Sequence, residues 1–230
     1  MSDHKPRPPR TIFDGAVVIL AAVVLAGLWM ASPALTAPGH AQPTQAVTAP
    51  PPPGKEQATF AAGCFWSMEA IFKELKGVQK VEPGYAGGTQ AHPSYEQVET
   101  GNTGYAESLN IIYDPKVITY KDLLRVLLTV RDPTTPNRQG PDEGPQYRSV
   151  IFYRSAAQHQ AAQEAIRQIG ASRIWRNPIV TEVKPLGTFY EAEGYHHNYY
   201  ALHPTQGYCA MVIAPELAEF RAKFKPLLKQ

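Results

Sequence analysis

The stretch Ala58-Thr-Phe-Ala-Ala-Gly-Cys64-Phe-Trp-Ser-Met-Glu-Ala-Ile-Phe-Lys-Glu-Leu75 decides the architecture, because its hydrophobic period changes at a single glycine. Ala58 to Ala62 reads as a short buried strand. Beyond Gly63, the residues Phe65, Met68, Phe72 and Leu75 recur three and four apart, which is the spacing of an amphipathic helix. Cys64 therefore falls at a helix start, beside unpaired N–H groups and the positive end of the dipole. That position is expected to lower its thiol pKa and favour the thiolate. Phe65 and Trp66 set two rings next to it, suiting attack on a neutral, partly apolar group. The same residues also read as a plain core cysteine with helix-packing aromatics, or as one half of a structural disulfide to Cys209.

Outward from this unit, Val78 to Tyr85 predicts a second strand closed by Gly87 and Gly88, and Thr89 to Gly104 predicts a long surface loop. Glu107 to Tyr113 predicts a strand ended by Asp114 and Pro115. Thr119 with Asp122 opens a helix whose buried face is Leu123, Leu124, Leu127 and Leu128. A Pro- and Gly-rich loop, Arg131 to Gln146, precedes a strand from Tyr147 to Tyr153. Ser155 with Gln158 opens a helix to about Ile169, stopped by Gly170; Ile179 to Lys184 is a further strand, and Pro215 fits the first turn of a terminal helix. Strand, helix, strand, repeated once, predicts an α+β fold: a ferredoxin-like split βαβ core with helices on a mixed sheet and long functional loops.

Of the 22 prolines in 230 residues, 10 lie in residues 1–54. Residues 1–14 form a basic flank with Lys5, Arg7 and Arg10, and 15–31 is an uncharged apolar run that reads as a transmembrane anchor or as a signal-peptide core. Residues 32–57 read as a Pro/Ala-rich linker and 58–230 as the folded domain. The positive-inside rule then places the domain on the periplasmic side of the cell envelope, either anchored in the inner membrane or exported by a signal cleaved near Ala41. From Ala58 onward 18 Lys plus Arg face 17 Asp plus Glu, so the basic stripe of a nucleic-acid binder is missing. Near-neutral charge without an apolar surplus predicts a monomer. His196, His197 and His203 with the cysteines match no familiar zinc spacing, so no metal is expected.

Gly63-Cys64-Phe65-Trp66 resembles the GCFW signature of the A-type peptide methionine sulfoxide reductases. The likeness continues in order through Gly84-Tyr85-Ala86-Gly87-Gly88, Thr103-Gly104-Tyr105-Ala106-Glu107, Asp114-Pro115, Arg138-Gln139-Gly140 with Asp142 and Gln146-Tyr147-Arg148-Ser149, Tyr195-His196 and Gly207-Tyr208-Cys209. The resemblance implies reduction of methionine-S-sulfoxide, free or in proteins. Cys64 would be the nucleophile, Glu107 the acid that protonates the sulfoxide oxygen, and Cys209 the resolving thiol, carried to Cys64 on a mobile loop. Tyr85 and Tyr147 would hydrogen-bond the oxygen, Phe65 and Trp66 would accept the S-methyl group, Asp142 would position, and His196 would contact substrate. It implies no bound cofactor and an external thioredoxin-like dithiol as reductant. Departures are the lack of a third cysteine after Cys209 and unusual residues at Ser67, Met68, Pro141, Pro145, Gly194 and His197, all expected at the pocket rim. The competing readings are an exported binding domain stapled by a Cys64–Cys209 disulfide, and a disulfide oxidoreductase acting on other proteins.

Overall fold

The computed structural model describes residues 44–230; the basic flank, the apolar run 15–31 and residues 32–43 lie outside them. Four strands form the heart of the fold: β2 (Glu56–Ala61), β3 (Val78–Ala86), β4 (Ala106–Tyr113) and β7 (Val150–Tyr153). They pair antiparallel in the spatial order β3-β4-β2-β7, which is the order the split βαβ pattern requires. Helix α1 (Phe65–Lys73) crosses from β2 to β3, and α3 (Tyr120–Val130) leaves β4. The expected α+β core is therefore present. At one edge β8 (Glu182–Pro185) adds parallel to β7; at the other, β9 (Phe189–Glu191) and then β1 (Gln45–Ala46) add antiparallel to β3.

Alternation along β4 sends Leu109, Ile111 and Tyr113 into the main core with Phe60, Phe72 and Leu123. By the same alternation Glu107, one step beyond Leu109, lies on the helix-covered face, and it is 2% exposed. The opposite face carries the smaller cluster Ala61, Ala86, Ala106, Val150, Phe152 and Phe189. Capping follows the sequence. Thr119 and Asp122 exchange both bonds of a capping box at α3. At α4 (Ala156–Ser172) Ser155 accepts the Gln158 N–H, but the Gln158 side chain instead takes the Arg154 N–H and donates to the Gln57 carbonyl. Only half of that box forms, because the glutamine ties α4 to β2.

Several expectations need correction. The loop Thr89 to Gly104 contains α2 (Tyr95–Glu99), opened by a complete Ser94/Gln97 capping box. The loop Arg131 to Gln146 contains a hairpin of β5 (Arg138–Gln139) and β6 (Asp142–Glu143). Pro145 starts a 3-10 turn that holds Tyr147, so the strand begins only at Val150. Helix α4 runs past Gly170 to a left-handed Arg173. Val180 bonds the Pro133 carbonyl, which delays β8 to Glu182. The domain also starts before Ala58: β2 begins at Glu56, residues 45–46 pair with β9, and the buried Thr44 hydroxyl donates to the Pro93 carbonyl at 2.8 Å. The end of the supposed linker is thus part of the fold.

At the C-terminus, α5 (Tyr199–Leu202) is followed by a π-helical turn, Cys209–Ile213, that runs into α6 (Ala214–Phe224) with Pro215 in its first turn. Cys209 is fully buried at the head of this turn rather than on a mobile loop.

Candidate active site

Gly63 makes the turn from β2 into α1. Its φ is +82°, and a Cβ there would lie 2.5 Å from Arg131 Nη2 and from the Gln139 side chain, so only glycine fits. Cys64 is the N-cap residue of α1, beside the N–H groups of Trp66 and Ser67 in the helix-terminus setting expected from the sequence, although its side chain makes no capping hydrogen bond. The expected pKa does not follow. Cys64 is only 6% exposed, and burial raises its thiol well above the usual value despite the helix N-terminus beside it. In the free protein Cys64 is therefore a thiol at neutral pH.

Glu107 stands directly opposite Tyr85 in the β3–β4 ladder. Its Oε2 accepts the Phe65 N–H at 2.8 Å, which places the carboxyl beside Cys64 at the first turn of α1. Burial raises its pKa well above the carboxylate range; the Phe65 N–H opposes this, while Glu99 and Asp142 add to it. Glu107 is held as a carboxylic acid, a form that can donate a proton.

Tyr85 is fully buried and donates to Glu193 Oε2 at 2.8 Å, and Tyr147 donates to both Glu99 oxygens, at 3.0 and 3.2 Å. Burial raises both phenols, so each stays a donor. Asp142 accepts the Tyr208 hydroxyl at 2.6 Å, joining the β5–β6 hairpin to the residue preceding Cys209. Burial of Tyr208 and its proximity to the Cys64 sulfur raise the Tyr208 pKa. Cys64, Phe65, Trp66, Tyr85, Glu107, Asp142 and Tyr147 are thus drawn together. Cys64 and Cys209 are both free thiols.

Trp66 forms a wall that is fixed on two sides. Tyr199 stacks on it at 3.7 Å between centroids with 7° between planes, and its Nε1–H donates to His196 Nδ1 at 3.1 Å. His196 has no exposed surface and packs on Phe65, Tyr95 and Tyr195. It is a buttress behind the aromatic wall, contrary to the expected substrate contact. Burial lowers its pKa to about 4, so it is neutral at neutral pH. Of the residues expected at the rim, Ser67 and Met68 are buried in the core. The Ser67 hydroxyl bonds Glu216, and both meet the buried Arg131, whose guanidinium donates to the Ala62 carbonyl, Ser67 and Glu216. Sequence reasoning missed Glu99, Tyr95, Glu193, Tyr199 and Arg131. The Ser94/Gln97 capping box was the available signal for the first two.

The family model for peptide methionine sulfoxide reductase matches residues 56–227. A peptide methionine sulfoxide reductase MsrA from Thermus thermophilus is 50% identical over 175 residues, covering 76% of this chain and 98% of that one. One from Polynucleobacter asymbioticus is 49% identical over 176 residues, covering 76% and 93%. Among solved structures, Mxr1 from Saccharomyces cerevisiae in reduced form is similar with TM-score 0.65 and 35% identity, covering 70% of this chain and 92% of that one. Methionine sulfoxide reductase A of Corynebacterium diphtheriae gives TM-score 0.65 and 34% identity, covering 70% and 80%.

Proposed function

The chain belongs to the A-type peptide methionine sulfoxide reductase family, an oxidoreductase family that reduces methionine sulfoxide at the expense of thiols, and from that premise we propose how its residues divide the reaction. The carrying observation is the Phe65 N–H to Glu107 bond, which holds a buried carboxylic acid beside the Cys64 thiol. The Cys64 sulfur attacks the sulfoxide sulfur while Glu107 gives its proton to the oxygen. The sulfoxide S–O bond breaks, methionine leaves, and the oxygen ends on Cys64 as a sulfenic acid, the reversible first rung of thiol oxidation. The Tyr85 and Tyr147 phenols turn from Glu193 and Glu99 towards the oxygen, and Phe65 and Trp66 take the S-methyl group. Asp142 positions by holding Tyr208.

The Cys209 thiol then displaces hydroxide from the sulfenic acid, releasing water and forming the Cys64–Cys209 disulfide. Because Cys209 is buried in a helical turn, that turn must loosen for the sulfurs to meet. An external thioredoxin-like dithiol then reduces this disulfide by exchange. The basic flank and the apolar run 15–31 support export, with the domain repairing proteins on the periplasmic side of the envelope, held by an anchor or released by a cleaved signal.

Pre-reduced protein incubated with each sulfoxide epimer, with free thiols and methionine counted, tests the division of labour. Two thiols are lost per methionine formed, with the S epimer alone. Intact thiols and no methionine would contradict it, and a disulfide oxidoreductase would lose its thiols only when a disulfide is supplied in place of the sulfoxide.

A further inference from the structure

Residues 44–47 belong by composition to the linker, yet all four are tied down, to β9 and to the loop ahead of α2. Gln45 and Ala46 pair with Glu191 and Tyr190, and the Val47 N–H donates to the Phe189 carbonyl at 2.9 Å. Thr44 is 4% exposed and bonds the loop twice. Its hydroxyl donates to the Pro93 carbonyl at 2.8 Å, and its own carbonyl lies 2.7 Å from His92 Nδ1. A carbonyl only accepts, so His92 Nδ1 carries the proton and donates it. The His92 ring meets Tyr190 edge to face, 5.4 Å between centroids. His92 has φ +50°, a left-handed conformation uncommon outside glycine, so these contacts hold the turn that its backbone does not favour.

Pro93 adjoins Ser94, the N-cap of α2, so this clamp acts on the start of that helix. Helix α2 in turn holds the partners of both phenols assigned to the sulfoxide oxygen. At its first residue the Tyr95 N–H donates to Glu193 Oε1 at 2.9 Å, and Oε2 of the same carboxylate accepts the Tyr85 hydroxyl at 2.8 Å. At its last residue Glu99 accepts the Tyr147 hydroxyl at 3.0 and 3.2 Å. A shift of α2 therefore displaces the holders of both donors together.

We propose that residues 44–47 are a strap that fixes α2, with Thr44 the positioning residue through which the strap prepares the site for sulfoxide. The inference rests on the reading of Tyr85 and Tyr147 as donors to the oxygen. Helix α2 has five residues and a single buried side chain, Val98, and a helix that short does not hold itself in water. Its place is set from its two ends: the Gln146 amide donates to the Glu99 carbonyl at 3.3 Å at one, and Thr44 grips the loop at the other. Released from the strap, the segment from His92 to Glu99 takes up other positions. Binding must then order α2 as well, which weakens affinity and leaves the chemical step unchanged.

Single-turnover methionine formation by the pre-reduced full chain, measured against the concentration of methionine-S-sulfoxide, tests the strap. Thr44→Val removes the hydroxyl and keeps the side chain's shape, so the half-saturating concentration rises about threefold to tenfold while the plateau rate stays within about twofold. Thr44→Ser, which keeps the hydroxyl, stays near wild type. Val47→Pro removes the N–H bonded to Phe189 without touching Thr44 and gives the same split. In both weakened variants backbone hydrogen exchange across residues 94–99 becomes faster. A loss of folding stability alone lowers the amount of methionine formed and leaves half-saturation where it was. That result, or faster exchange in α2 with half-saturation unmoved, overturns the proposal. Unchanged half-saturation and rate in Tyr147→Phe would instead remove the donor reading beneath it.

Discussion

The backbone N–H of Phe65 and the carboxyl of Glu107, 42 residues apart in the chain, meet at 2.8 Å. This contact joins the first turn of α1 to the start of β4 and sets an acid beside a thiol. Burial raises both groups, so Glu107 already holds the proton it gives, whereas Cys64 must lose its proton as it attacks.

Glu107→Gln slows sulfoxide reduction by about 10²- to 10⁴-fold in single turnover at neutral pH, the range for a positioned general acid. The same change stabilises the fold at alkaline pH. A carboxyl whose folded pKa lies above its usual 4.5 binds more protons folded than unfolded, so wild-type stability falls as pH rises above about 4.5. Urea melts at pH 5 and pH 8 check this: the variant gains relative to wild type at pH 8. Equal gains at both pH values would contradict it.

His196 gives the opposite sign. Its folded pKa of about 4 lies below the usual 6.5, so the unfolded chain binds more protons between these values and stability falls as pH drops from about 6.5 to about 4. His196→Phe removes that dependence and frees the Trp66 indole N–H. The expected readout is a flatter stability profile together with a raised KM for sulfoxide. A KM unchanged by the substitution would show that Trp66 needs no buttress.

Arg131 is 2% exposed and donates to the Ala62 carbonyl, to Ser67 and to Glu216. Glu216→Ala leaves this guanidinium without its carboxylate, and unfolding free energy falls by about 3 kcal/mol, the low end for breaking a buried pair because Glu216 is partly exposed. Glu216→Gln, which keeps an acceptor, loses less. Urea denaturation of the two variants measures the difference.

The split βαβ core was legible because Gly63, the Thr119 box and the alternation in β4 are local signals that the tertiary structure only reinforces. β9 was not: three residues, Phe189–Glu191, are too short to show a period, and only pairing with β3 and β1 makes them a strand. The catalytic pair was named from motif order, and a desolvated, raised acid was expected at Glu107, but the electrostatics of Cys64 were not legible. A helix N-terminus predicts a lowered thiol pKa, whereas burial, visible only in three dimensions, reverses the sign. His196 sat in the right motif but behind the wall, a placement that depends on its bond to Trp66.

The central claim, that Cys64 takes the sulfoxide oxygen, is tested most directly in Cys209→Ser, where Cys64 is the sole thiol. One turnover with methionine-S-sulfoxide, followed by dimedone and mass spectrometry, should give one methionine per chain and one sulfenic-acid adduct on Cys64. Methionine formed without that adduct, or equal turnover in the further variant Cys64→Ser, would contradict it.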